Sequence, residues 1–391
     1  MSRFLAGFSE IALTTPRELI GSGLTSRECK GVNDPLMVQS LVLESDENRI
    51  AILAFDSLAI ETEDANEIRR RLAPLGFQAQ DVLVSASHTH SGPPTLDFGF
   101  VRKNRELMAE IATKAEESVR MSVQSLSSAS MRAGFTEFPY VANRRQRTAL
   151  GRVKLGVNLK GPVDRQISSV LLETGQAKVL MLSYGCHPVM TREIPLASAD
   201  YIYGIRLQAA SLGIDGALFL VGAIGDVNPY DIEKRVSLDR AGVEAAVSYG
   251  ARMASEGVKS LGTEHEGNLY PISVTTDCKI SMRRFEGEVV DDKVLVQALR
   301  IGPLILVAFP GEVFAKIALD LKTRLNRNEI AIVSCANGYV GYLPPSNEYS
   351  RKGYEIMETP RVFGHSVIQG TSEDLMDAAE RLVTSIEESG P

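Results

Sequence analysis

Val82-Leu83-Val84-Ser85-Ala86-Ser87-His88-Thr89-His90-Ser91-Gly92-Pro93 opens on three branched apolar residues and closes on a polar turn. The apolar run reads as a buried strand, and Ser91-Gly92-Pro93 ends it. In an extended chain, residues i and i+2 face the same side. His88 and His90 are therefore expected to leave the strand end together, on one face. Such a pair delivers two neutral nitrogen ligands, or one ligand and one acid/base, to a single metal ion. They are two of only five histidines in 391 residues.

The same arrangement recurs along the chain. Val179-Leu180-Met181-Leu182 runs into Gly185-Cys186-His187-Pro188, and Leu218-Phe219-Leu220-Val221 into Gly225-Asp226-Val227-Asn228-Pro229. The apolar stretch 304–309 leads to Pro310-Gly311-Glu312, and Ile332-Val333 to Asn337-Gly338-Tyr339. Open α/β sheets carry their sites at the strand C-terminal ends, so these five turns are expected to meet in one crevice. Between them, helical periodicity is read at 61–75 with Thr62 as N-cap, 102–126, 201–212, 237–261 and 312–326. A last helix is read at 372–388, with Thr371 and Asp374 at capping-box spacing. Hairpins are read at 36–55 and 167–185. The fold class that follows is α/β, with mixed central β-sheets and flanking helices. Residues 1–391 read as one catalytic domain, with a sub-domain hinge near the polar stretch 264–271.

Composition narrows the function classes. Hydrophobic content of 44% and charged content of 23% suit a globular chain, and the net charge of -7 argues against a nucleic-acid partner. Arg144-Arg145-Gln146-Arg147 is the longest basic cluster, too short for a nucleic-acid footprint. No apolar run reaches membrane-spanning length, and the first ten residues lack a signal-peptide core, so a cytoplasmic protein is expected. An oligomer is left open. The four cysteines show no CxxC spacing, which argues against a disulfide framework or a cysteine-zinc site. No GxGxxG, P-loop or GxSxG motif occurs, leaving a metal-activated water as the nucleophile.

Three histidines, or two histidines and one carboxylate, are the usual protein ligands of a catalytic zinc. His88, His90 and His187 supply the imidazoles, and Glu312 is the best carboxylate candidate. Glu312 reads equally as an acid offsetting a helix dipole. Asp226 either holds a ligating imidazole in its tautomer or makes an Asx turn. Tyr339, Tyr342, Tyr349 and Tyr354 crowd one segment, either as a polar-rimmed pocket or as an aromatic surface loop.

These turns together resemble the catalytic domain of the neutral/alkaline, non-lysosomal ceramidase family. His88-Thr89-His90-Ser91-Gly92-Pro93 matches the family's HTHSGP, Asn143-Arg144 its Asn-Arg pair, and Pro310-Gly311-Glu312 its PGE. His187 with Ser198-Ala199-Asp200 is similar to its second metal-histidine region, and Gly225-Asp226-Val227-Asn228-Pro229 resembles GDVSP. The resemblance implies a zinc-dependent amidohydrolase acting on a linear amide, small or lipid-like. It implies zinc held by His88, His187, Glu312 and Tyr342, with His90, Arg144 and Tyr354 near the reacting carbonyl. A metal-dependent esterase or lactonase, or a non-catalytic metal- or ligand-binding homologue, is the alternative. Two departures fall in the expected pocket wall: Asn228 replaces the family's serine, and Pro94-Thr95-Leu96-Asp97 replaces a glycine-rich continuation. With no C-terminal β-domain expected, they direct the substrate away from a typical ceramide.

Overall fold

The computed structural model describes residues 4–20, 25–46, 48–99, 101–149, 151–265 and 269–388. Two large sheets stack face to face, with helices outside both. The first has eight strands in the order Gly216–Val221, Lys178–Tyr184, Gln166–Thr174, Ser127–Glu137, Phe4–Ala12, Met37–Ser45, Arg49–Phe55 and Val82–Ala86. Only its two outermost pairs are parallel. The second runs Ile330–Val333, Leu304–Ala308, Val289–Ile301, Ile272–Arg284 and His365–Val367, with its first pair parallel.

Period-two patterning explains the layering. In the first sheet Val38, Val42, Ala51, Leu53, Val82 and Val84 face one core, shared with the helices Thr62–Leu72, Arg105–Gln124, Tyr201–Ser211 and Val243–Lys259. Their neighbours Leu41, Leu43, Ile50, Ile52 and Leu83 face the other way and meet Leu299, Leu304, Leu306 and Val333 of the second sheet. The opposite face of that second sheet, through Val296, Ile305 and Val307, packs under Ala315–Leu325 and Thr371–Glu388. The result is the mixed α/β architecture expected, in helix–sheet–sheet–helix order. Among the described residues, no helix is long and apolar enough to cross a membrane.

Several boundaries differ from the sequence reading. Thr62 is the first helical residue rather than the cap; Glu61 takes that place, without a side-chain cap bond. Pro74 then tightens the end of that stretch into a 3-10 turn, Ala73–Leu75. The long helix read from residue 237 starts at Val243, because Val236–Ser237 pairs as a strand with the segment containing Tyr230 and Asp231. The last helix begins at Thr371, where the Gly370 carbonyl accepts the Asp374 N–H (3.0 Å), so the capping box does not form. Gly21-Ser22-Gly23 and residues 266–268 of the expected hinge lie outside the described residues. The His265 N–H donates to the Met131 carbonyl (2.8 Å).

The strand ends are laced together by backbone hydrogen bonds. Gly222 donates to Tyr184, Ser334 to Val221, and Asn337 to Val84 (2.8, 2.8 and 2.7 Å). Cys335 donates to Gly311 (3.0 Å) and Gly225 to Val313 (2.8 Å). This lacing brings the five polar turns to one place.

Candidate metal centre

His88 and His90 do converge, but not by strand alternation. The strand ends at Ala86, and His88 sits in the left-handed region (φ 64°). Its N–H donates to the Ser57 carbonyl (2.9 Å). A non-glycine residue there costs about 1 kcal/mol or more, and such strain gathers where surrounding bonds over-determine a functional turn. Asp200, Cys335 and Asn337 nearby also have positive φ. The His88 ring centroid ends 5.1 Å from that of His90 and 5.0 Å from that of His187. Ring nitrogens of all three histidines lie within 4.8 Å of one another.

Glu312 completes the cluster from the second sheet's end. It was expected on the first turn of a helix. It lies instead in the short strand Glu312–Val313, parallel to Tyr342–Leu343 and in register with Tyr342. The helix begins only at Ala315. Dipole compensation is therefore not its role. Glu312 Oε1 lies 3.6 Å from His88 Nε2, and Oε2 3.1 Å from His187 Nε2. Tyr339, which stacks near His88, donates its hydroxyl to Oε1 (2.6 Å) and fixes the carboxylate.

The tautomers follow from the partners of the other ring nitrogen. His88 Nδ1 faces the Leu58 carbonyl (2.7 Å) and His187 Nδ1 the Ile224 carbonyl (2.7 Å). A carbonyl only accepts, so each Nδ1 carries the proton and each Nε2 presents a lone pair. Among the described residues, His88 Nε2, His90 Nε2 and Glu312 Oε2 are buried without a hydrogen-bond partner. Two nitrogen lone pairs and an unsatisfied carboxylate oxygen thus point into one buried space. Neighbouring acceptors repel unless a cation lies among them, so this donor set fits a divalent metal ion. His88 and His187 are fixed in the ligating tautomer; no such backbone bond fixes His90 among the described residues.

Asp226 takes neither role read for it. Its carboxylate accepts from the Ala315 N–H (2.8 Å) and from Asn143 Nδ2 (2.6 Å), and it touches no imidazole. It ties the helix start to the strand bearing Arg144, and burial pushes its carboxyl up to about 7. Arg144 is itself buried and almost fully committed. Nε donates to Glu355 (2.9 Å), while Nη2 donates to the Gly225 carbonyl (2.9 Å) and the Tyr342 hydroxyl (3.0 Å). Only Nη1 remains, 3.4 Å from Asn228 Oδ1 and from His187. The guanidinium also lies near the rings of Tyr342 and Tyr354 (5.4 and 5.9 Å to the centroids). Pro94 is buried, and its carbonyl accepts the Asn104 N–H (3.0 Å) at the start of a helix.

Burial lowers His88, lowers His90 well below the ordinary imidazole range, and lowers His187 to about 4. For Glu312 burial acts upward, but His88 and His187, cationic in the acid range where this carboxyl titrates, and Arg144 outweigh it and hold the carboxyl down to about 2. Burial drives the Tyr342 phenol up, with Arg144 opposing. The sign of the pH effect follows. Unfolded histidine titrates near ~6.5 and folded His187 near about 4, so the unfolded chain binds more protons between those values. Glu312 acts in the same sense between ~4.5 and about 2. The His187 and Glu312 contribution to metal-free stability is expected to fall as pH drops from ~6.5. Asp226 and Asp200, whose carboxyls burial raises to about 7 and about 6, act against it. Melting scans in chelator, run beside His187→Gln, isolate the histidine part.

No protein-family model and no curated protein sequence matches the chain. Among solved structures, neutral ceramidase from Pseudomonas aeruginosa superposes with a TM-score of 0.80 at 15% identity, covering 100% of this chain and 75% of that one. The chain has the ceramidase fold. A ceramidase complexed with C2 gives a TM-score of 0.79 at 14% identity, covering 100% of this chain and 76% of that one.

Within the ceramidase fold, two residues that position the cluster escaped the sequence reading. Tyr339 was read within a strand-end turn and a crowd of four tyrosines but given no role of its own, and Glu355 was given none. Glu355 is buried and bonds both Arg144 and Arg145. Gly225 is needed on steric grounds, because an added Cβ would stand 2.5 Å from the Glu312 carbonyl oxygen and 2.7 Å from the Phe314 ring. Gly225→Ala is expected to push the Glu312 strand away at a cost of about 1–3 kcal/mol. Thermal unfolding and metal content check it together.

Proposed function

We propose that the protein is a zinc-dependent amidohydrolase that cleaves a linear amide. The observation that carries this reading is the pair of Nε2 lone pairs on His88 and His187, each fixed by a backbone carbonyl behind it, facing the Glu312 carboxylate. Tyr342, next to Glu312 across the strand pair, is the fourth ligand in this reading. The bound ion would activate water and polarise the scissile carbonyl.

The remaining roles belong to the chain. His90 is held neutral by burial at rest, so it can take the proton the attacking water loses and pass it to the departing amine. Arg144 holds the Tyr342 hydroxyl and favours the phenolate, while Glu355 and Gly225 keep the guanidinium in place. Its Nη1 and the Tyr354 hydroxyl then border the reacting carbonyl. Asn228 and Pro94 are assigned to the substrate wall, and their departure from the family pattern directs the substrate away from ceramide. A cytoplasmic location belongs to the same reading.

Chelation followed by metal return tests it. With zinc restored, a panel of N-acyl amides is expected to be cleaved and the chelated protein to be inactive. Turnover confined to esters or lactones would replace the amide reading, and turnover indifferent to chelation would overturn the metal.

A further inference from the structure

His90 alone of the three imidazoles is partly exposed, so the site opens on its side. Two loops build the rim there. The first, 188–192, is pinned to the histidine turn. The His90 N–H donates to the Pro188 carbonyl (3.2 Å), and the Ser91 and Thr191 hydroxyls share a hydrogen bond (2.9 Å). The second is strapped to the first through the Arg240 and Gly242 N–H groups, which donate to Val189 and Met190 (3.2 and 2.9 Å).

Arg192 sits on this rim with its side chain largely buried. Its Nη2 donates to Asp239 Oδ2 (2.7 Å). Among the described residues its Nε is buried without an acceptor, and Asp239 Oδ1 has no partner either. Asp239 therefore grips the guanidinium through one oxygen. Burial acts against the cation, and the nearby Arg240 and Arg144 add to it; together they outweigh Asp239 and Glu193. Arg192 also acts electrostatically on His90 and Tyr354, two partly buried groups of the site. A buried N–H without an acceptor, on a cation its surroundings under-compensate, is matched by an anion.

We propose that Arg192 sets substrate specificity by binding the carboxylate of an N-acyl amino acid whose amide lies at His88, His90 and His187. The proposal rests on the hydrolytic reading above. Guanidinium receives a carboxylate through two parallel N–H bonds, which the compact lysine ammonium does not reproduce. A hydroxyl could instead accept from Nε and donate to Asp239 Oδ1, so the carboxylate must be compared with it directly.

The test is binding, measured by calorimetry on the purified full chain, of N-acetylglycine, N-acetylglycinamide and N-acetylethanolamine. The carboxylate is expected to bind about tenfold or more tightly than either neutral ligand. Arg192→Gln is expected to weaken the carboxylate by about tenfold to a hundredfold and the neutral ligands by less than about twofold. Arg192→Lys should recover only part. Equal binding of the three, tighter binding of the hydroxyl ligand, no binding of the carboxylate, or an unaffected Arg192→Gln protein would each overturn the proposal. Carboxylate binding through Arg192 without hydrolysis of any amide would keep the assignment and remove the amidase reading.

Discussion

Glu312→Gln is expected to lower zinc affinity by more than about a hundredfold, the upper effect of losing a mere supporting group around a metal. The substitution keeps size and shape but removes the negative charge. In the wild type that charge faces two imidazole lone pairs and lies in the field of the Arg144 guanidinium. Without it, the Tyr342 phenolate would be the one anionic donor left to a dication that also faces the Arg144 charge. Zinc activity should fall in parallel with metal content. Competition with a chromophoric chelator measures the affinity. Tyr339→Phe removes only the hydroxyl that orients the carboxylate (2.6 Å), so a smaller loss, about tenfold to a hundredfold, is expected.

Glu355→Ala is expected to destabilise the protein by about 3–5 kcal/mol, the cost of leaving a buried charge without its partner. Glu355 is 1% exposed at the side chain and bonds two arginines that are themselves 7% and 4% exposed. Arg145 keeps Glu348 and the Lys352 carbonyl; Arg144 keeps only neutral partners. The melting temperature should drop by about 4–6 °C, read by calorimetry. Glu355→Gln retains one acceptor and should fall between. Freed of its Glu355 bond, Arg144 would also lose its aim at Tyr342, so the alanine variant is expected to bind metal less tightly than Glu355→Gln.

The mixed α/β class was legible because short apolar strand runs alternate with amphipathic helical stretches, and the strand-end turns because glycine and proline mark them. The histidine turn was read correctly as a meeting point for a wrong reason: a left-handed residue at His88, not strand alternation, aims the ring. Nothing local announces that backbone choice. Glu312 was placed on a helix because a helical pattern follows it, whereas pairing with Tyr342, thirty positions on, makes it a strand. Local pattern cannot weigh a partner that far away. The same limit hid the carbonyls of Leu58 and Ile224, which set the tautomers, and Glu355, which meets Arg144 from a sequence separation of 211. Asp226 was misread because its partners, Ala315 and Asn143, are equally distant in the chain.

The central claim is the choice of ligands, and anomalous diffraction at the zinc edge from crystals grown with zinc tests it most directly. The account predicts one peak lying about 2.0–2.2 Å from His88 Nε2, His187 Nε2 and a Glu312 oxygen, with His90 outside bonding range. A peak bonded to all three histidines without Glu312, or no peak in this cluster, would contradict it.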